Sequence, residues 1–296
     1  MADFQGIIVI HKEKGFTSHD VVAKLRGILH MKKIGHTGTL DPDATGVLPV
    51  ALGKGTKLVD LLTDKEKTYE AVLHLGIDTD TQDMSGTVLE EKPVNVTEEE
   101  VRKVLKSFVG EQLQVPPMYS ALKLNGKKLY ELAREGKTVE RKARPVCFYE
   151  IEPLEFHLPL VKIRVTCSKG TYIRTLCHDI GEKLGCGGCM EELLRSRVGR
   201  YSLSESHTLA QVEAAVADGT VQDMIDPVEA VLAEYPALYA DSYGDRLLAN
   251  GNPLSDNLVR PQHKEGWVRM YASDGTFTGI FQWDAGKKKY YPVKMF

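Results

Sequence analysis

The alternation of apolar and polar positions outlines most of the elements of this chain. "GIIVIHK" at residues 6–12 is a short continuous apolar run and reads as a buried strand. Over "TSHDVVAKLRGILHM", Val21, Val22, Leu25, Ile28 and Leu29 recur at helical spacing, and Thr17 with Asp20 makes a capping-box-like start. "KTYEAVLHLGI" predicts a strand and "TDTQDMSG" a polar turn region. "TEEEVRKVLKSFVG" predicts a second helix, with Thr97 as cap and three glutamates complementing the helix dipole. Val161, Ile163, Val165 and Cys167 alternate with Lys162, Arg164 and Thr166, the signature of a half-buried strand. "SKGT" turns the chain, and Ile173, Leu176, Ile180 and Leu184 return to helical spacing. Around Tyr235–Pro236 the texture becomes Gly-, Tyr- and turn-rich. The short runs "GWVRMYA", "GTFTGIFQW" and "KYYPVKMF" predict a small β unit. No internal repeat interrupts this order. The expected fold class is α+β, with strands and helices mixed without a strict βαβ rhythm.

Composition narrows the class. The 296 residues are 42% apolar and 27% charged, the profile of one large domain, or one large and one small. No apolar run approaches the roughly 18 residues of a membrane span. The N-terminal "MADFQGIIVIHKEKG" reads as a first strand and not as a signal peptide. Five cysteines without a leader predict free thiols and a cytoplasmic protein. Cys186 and Cys189 form "CGGC", which lacks the second ligand pair of a structural zinc site, so no metal is expected. A net charge of −3 and a pI near 6.3 exclude a nonspecific nucleic-acid coat. Charge is nevertheless uneven. Residues 120–145 carry eight Lys/Arg against three Glu, a local +5. That stretch reads either as a solvated helix face or as a phosphate-contacting patch. Clustering and the interleaved Tyr119 and Tyr130 favour the patch, with Lys127, Lys128, Arg141 and Lys142 as candidates.

The candidate chemistry centres on residues 35–48, "GHTGTLDPDATGVL". Pro42 pushes Asp41 toward an extended conformation, and the glycine-rich surroundings shape the loop around its carboxylate. Taken alone, the segment fits an ordinary Asx-type turn as well as a site. "DPDAT" also fits the D-x-D-x-T signature of Mg²⁺-dependent aspartyl-phosphate phosphatases. In those enzymes the first Asp follows a hydrophobic strand, whereas here "GHTGT" and a single Leu precede it. No later acidic metal motif appears, and "LGKGTK" lacks P-loop spacing.

"GHTGTLDPDATGVLPVALGKGTKL" resembles the catalytic motif of the TruB family of tRNA pseudouridine-55 synthases. Further segments resemble that family in order along the chain. "KGFTSHDVV" is similar to its N-terminal motif, and "KTYEAVLHLGIDTDTQDMSG" to its second. "PPMYSALKLNGKKLYELAREG" is similar to its RNA-contacting insert, and "CSKGTYIRTLCHDIGEKLG" to its third motif. "HKEKG" departs from the family's usual Asp-Lys-Pro-x-Gly. The resemblance implies a catalytic domain over 1–234, with a mixed or antiparallel sheet, flanking helices and an RNA-binding insert at about 115–145. It implies a PUA-like RNA-binding pseudo-barrel over 235–296. It implies isomerisation of uridine 55 in the tRNA T loop, with no cofactor, by a monomer whose partner is the T stem-loop. Asp41 then becomes the catalytic aspartate and Arg174 its ion-pair partner. Tyr69 becomes the tyrosine stacked on the base, near the C5 proton. Tyr172 and the Leu193 backbone contact the nucleotide, and His36 fills the space left by the flipped base. A non-catalytic RNA-folding protein would use the same insert and tail without needing Asp41, Tyr69 and Arg174 together.

Overall fold

The computed structural model of the chain describes residues 4–296. Strand β1 (Gly6–Lys12) leads through helix α1 (Ser18–Ile28) to β2 (Ile34–His36) and β3 (Thr45–Leu52). The α1 cap is the one the sequence predicts: Asp20 N donates to Thr17 Oγ1 at 3.1 Å and Thr17 N to Asp20 Oδ2 at 2.8 Å. A short helix, α2 (Val59–Thr63), turns the chain into β4 (Lys67–Leu75). A small hairpin of β5 (Ile77–Thr79) and β6 (Val88–Glu91) precedes α3 (Glu98–Phe108) and β7 (Gly110–Gln114). The basic segment forms a second hairpin, β8 (Lys123–Leu124) with β9 (Lys127–Lys128), and then α4 (Leu129–Arg134). The long hairpin of β10 (Arg144–His157) and β11 (Leu160–Cys167) delivers the chain to α5 (Ile173–Leu184) and β12 (Gly188–Val198). After β13 (Tyr201–Ser202) come α6 (Leu209–Asp218), β14 (Ile225–Asp226) and α7 (Val228–Val231).

These strands build one ten-stranded sheet in the order β14-β1-β3-β12-β4-β11-β10-β7, with β2 beside β3 and β13 beside β12. All its ladders are antiparallel except β3–β12, which is parallel over only two residue pairs, Thr45↔Leu194 and Gly46↔Arg195. This seam separates two cores. On one side α1 and α6 cover β1 and β3 through Val21, Leu25, Val212, Ile8, Ile10 and Leu48. On the other, α3 and α5 cover β4 and β11 through Val101, Leu176, Leu73 and Val165. Gly46 sits at the seam with φ 106°, and a Cβ there would lie 2.2 Å from the Arg195 carbonyl oxygen. Only glycine lets the two strands approach this closely.

The C-terminal strands are β15 (Ala237–Ala240), β16 (Leu254–Ser255), β17 (Val259–Arg260), β18 (Trp267–Tyr271), β19 (Phe277–Asp284) and β20 (Lys289–Met295). They form a nearly closed, barrel-like sheet around Leu238, Val268, Met270, Phe281 and Tyr290, as expected of a PUA-like pseudo-barrel. The sequence pattern does not anticipate helix α8 (Ser242–Ala249) within it. Asp241 caps that helix by accepting from Gly244 N at 2.9 Å, and Leu248 is buried beneath it. Ile280 leaves the barrel to join Ile7, Val9 and Val47 of the large sheet in a shared core. No described helix is long and apolar enough to cross a membrane.

Candidate active site

The loop between β2 and β3 carries Asp41, while Leu40 and Ala44 on either side of it are buried in the core across the seam. The carboxylate is thereby presented to the far half of the sheet. There it meets Arg174, in the first turn of α5. A cation at a helix N-terminus opposes the helix dipole, so this position is held by partners and not by helix propensity. Arg174 is 5% exposed and its guanidinium is ringed by acceptors. Nη2 donates to Asp41 Oδ1 at 3.3 Å, and Nε lies 3.1 Å from Asp41 Oδ2 in an ion-pair contact. The second Nη2 proton goes to the Tyr119 carbonyl at 2.9 Å, and Nη1 reaches the Thr81 carbonyl at 3.2 Å and Asp83 Oδ2 at 3.3 Å. The Asp41 side chain keeps 40% exposure, so one face of the carboxylate is open to a ligand.

Burial of its surroundings raises the Asp41 carboxyl above the ordinary value; the Arg174 charge pulls it down, and Asp83 pushes it up again. Asp83 is fixed in turn by Thr81 Oγ1 at 2.8 Å and Ser85 N at 3.0 Å. One guanidinium thus serves two carboxylates, and Lys12 adds a second, weaker positive charge acting on Asp41. Beneath the loop, Lys12 Nζ donates to the carbonyls of Glu13, Phe16 and Pro42, the last at 2.9 Å. Burial lowers Lys12 to about 8.

Tyr69 on β4 is 8% exposed and faces Arg195 across the β4–β12 ladder. Burial pushes its phenol up, while the Arg195 charge pulls it down. Leu193, two residues earlier on β12, pairs with Ala71 and packs on the core that contains Tyr69 and Leu40. Tyr172 caps α5, and its backbone N–H and carbonyl both bond the Gln114 side chain, at 2.8 and 3.0 Å. His36 ends β2 and meets His19 edge-on, with ring centroids 5.2 Å apart. Burial lowers its pKa, with help from His19 and Arg195, so the ring is neutral at pH 7 and Nδ1 is free to accept from Gly38 N at 3.4 Å.

Asp41 and Arg174 are therefore in contact, with Tyr69, Tyr172 and Leu193 on the elements that frame them. The four basic candidates lie apart from this centre and are not equivalent. Lys127 pairs with Glu135 at 3.4 Å, and Lys128 lies over the Tyr130 ring. Arg141 donates to the Pro116 carbonyl at 3.0 Å, a structural tie. Lys142 is exposed. The insert still touches the centre through the Tyr119 carbonyl on Arg174. Cys186 and Cys189 are free and buried, and no described group of His, Cys, Asp and Glu is placed to hold a metal. Sequence reading misses Asp83, Lys12 and Arg195. Asp83 lies inside "TDTQDMSG", where a turn aspartate carries no further signal.

Two family models match the chain. The TruB family pseudouridylate synthase N-terminal domain matches residues 26–173, and the tRNA pseudouridylate synthase B C-terminal domain matches residues 174–233. Similar proteins include tRNA pseudouridine synthase B of Lachnoclostridium phytofermentans, 52% identical over 98% of this chain and 99% of the relative. The protein of the same name from Clostridium novyi is 46% identical over 93% of this chain and 94% of the relative. Among solved structures, a chain of a Cbf5-Nop10-Gar1 complex is similar, with TM-score 0.74 and 29% identity over 98% of this chain and 84% of that one. A chain of an H/ACA RNP bound to a substrate RNA containing 2′-deoxyuridine gives TM-score 0.72 and 28% identity, again over 98% and 84%.

Proposed function

Because the chain belongs to the TruB family of pseudouridylate synthases, we propose that it converts uridine 55 in the T loop of tRNA to pseudouridine. The observation that carries this reading is the Asp41 carboxylate, gripped at both oxygens by Arg174 yet open on one face. The N1–C1′ bond breaks and its electron pair leaves with uracil. Asp41 assists either by attacking C1′ or by taking a proton from the sugar to give a glycal. The ring turns and C5 bonds to C1′, which breaks the Asp41 ester in the first route and is accompanied by return of the sugar proton from Asp41 in the second; the C5 proton is then lost and N1 gains one. Atoms and electrons balance within the substrate, so the reaction requires no cofactor.

The target base must leave its stack to reach a carboxylate in a cleft, and a neutral ring such as His36 can occupy the vacated space. Tyr69, Tyr172 and Leu193 frame the flipped uracil. The catalytic unit spans 1–234, with the 115–145 segment closing on the T stem-loop and residues 235–296 holding a more distant part of the tRNA. The protein works as a monomer in the cytoplasm.

The test is single-turnover release of tritium from C5 of labelled uridine in tRNA, with excess chelator present. Wild type should release it and Asp41→Asn should not, while Asp41→Asn still binds tRNA. No release, with chelator-sensitive hydrolysis of a phosphomonoester instead, would favour the phosphatase-like reading of "DPDAT". Binding by wild type without release would favour an RNA-folding protein.

A further inference from the structure

Arg195 heads the largest fully buried side chains among the described residues, at 2% exposure, and no described carboxylate pairs with it. Buried charges are ordinarily paired. Its hydrogen bonds go to backbone carbonyls: Nε to Val47 at 2.8 Å, Nη1 to Thr39 at 3.4 Å and Nη2 to Gly38 at 3.3 Å. Three carbonyls take one hydrogen from each nitrogen but leave the charge uncancelled. Lys12 and Lys67 register that charge: burial is the main cause that brings each to about 8, and Arg195 contributes to both. Those two ammonium groups are themselves spent on main chain, Lys67 Nζ on the Thr63 and Lys65 carbonyls at 2.6 and 2.7 Å. Arg195 alone of the three stands directly opposite Tyr69 in the β4–β12 register, and its charge pulls the Tyr69 phenol pKa down against the rise that burial causes.

Resting on the isomerase reading above, we propose that Arg195 is a positioning residue of the reaction, acting through the Tyr69 hydroxyl to set a fixed positive charge behind the uracil as its bond to the sugar breaks. Uracil departs with the N1–C1′ electron pair and so carries negative charge over its nitrogen and carbonyl oxygens. A fixed positive charge beside the phenol makes its O–H a stronger donor to that anion. Donors fixed in a dry site stabilise developing charge more than water does.

The experiment is a double-mutant cycle of Tyr69→Phe and Arg195→Gln, read by single-turnover C5 tritium release from a T stem-loop and by stem-loop affinity. Arg195→Gln alone should slow release about 10²-fold, the scale of removing one preorganised donor. Affinity should change less than about threefold. In the Tyr69→Phe background the same change should cost less than about threefold, because the hydroxyl it acts through is gone. Arg195→Lys should recover part of the rate. Fully additive effects, or a folded Arg195→Gln with a normal rate, would overturn the proposal. If Arg195→Gln fails to melt cooperatively, the cycle is run with Arg195→Lys and read by the same criterion. A wild type that releases no tritium would instead overturn the isomerase reading, whatever the cycle shows.

Discussion

Arg174→Lys keeps the charge and removes the geometry. The guanidinium serves five acceptors at once: it donates to Asp41 Oδ1 and the carbonyls of Thr81 and Tyr119, and makes ion-pair contacts with Asp41 Oδ2 and Asp83 Oδ2. An ammonium has three protons at one point. At least two acceptors therefore go without a donor in a place that water barely reaches, since Arg174 is 5% exposed. A hydrogen bond to a charged group contributes roughly 1.5–3 kcal/mol, so removing two amounts to about 3–6 kcal/mol. At 1.36 kcal/mol per tenfold, the lower figure acting on Asp41 placement alone slows the reaction roughly 10²-fold. Single-turnover tritium release measures the rate, and a cooperative thermal melt separates misplacement from misfolding. A well-folded Arg174→Lys within about threefold of the wild-type rate would refute the argument that the planar fork is what positions the carboxylate.

Asp41→Asn should melt no lower than wild type at pH 7. Its folded carboxyl pKa is raised, so the ionised form costs stability above that pKa, and the cost shrinks as pH falls below it and is gone at the ordinary carboxylate value. A lower melting temperature would mean that the attraction of Arg174 outweighs burial. Lys127→Ala, Lys128→Ala and Lys142→Ala should each flatten the log–log salt dependence of tRNA binding by roughly 0.7–0.9 for every phosphate no longer neutralised, and an unchanged slope would mark a solvated face. Arg141→Ala should lower the melting temperature instead, because it releases the Pro116 carbonyl. Deleting 235–296 should weaken binding of full-length tRNA while leaving measurable activity on a T stem-loop. It should also lower the melting temperature, since Ile280 and Trp267 leave the core they share with Ile7 and Val9. A folded truncation inactive on the stem-loop would place part of the active site in the tail.

The elements are legible where one period runs uninterrupted. Val161, Ile163 and Val165 alternate and are all fully buried, and Thr17 and Thr97 cap the helices they are expected to cap. Helix α8 is hidden because its eight residues offer barely two turns, with Gly244 and the exposed Tyr243 blurring the stripe. Within the site, Asp41 and Arg174 lie 133 residues apart, and no local pattern pairs them; family resemblance does. Arg195 escapes because "LLRSRV" reads as an alternating strand whose arginines point to water. Arg195 instead shares the face of β12 that carries Leu193, and the ladder slips only after it, which moves Arg197 out of line.

The parallel pairing of β3 and β12 is two residue pairs wide, and one of its four positions has no side chain. The nucleophile candidate hangs from one bank of this joint; its guanidinium and the tyrosine stand on the other. The banks are also laced by Leu40 and Ala44 in the far core, by Val47 packed with Val198, and by Arg195 donating to Val47 O at 2.8 Å. A methyl group at Gly46 would collide with the Arg195 carbonyl, so strain at this joint bears first on the distance between the carboxylate and its partners.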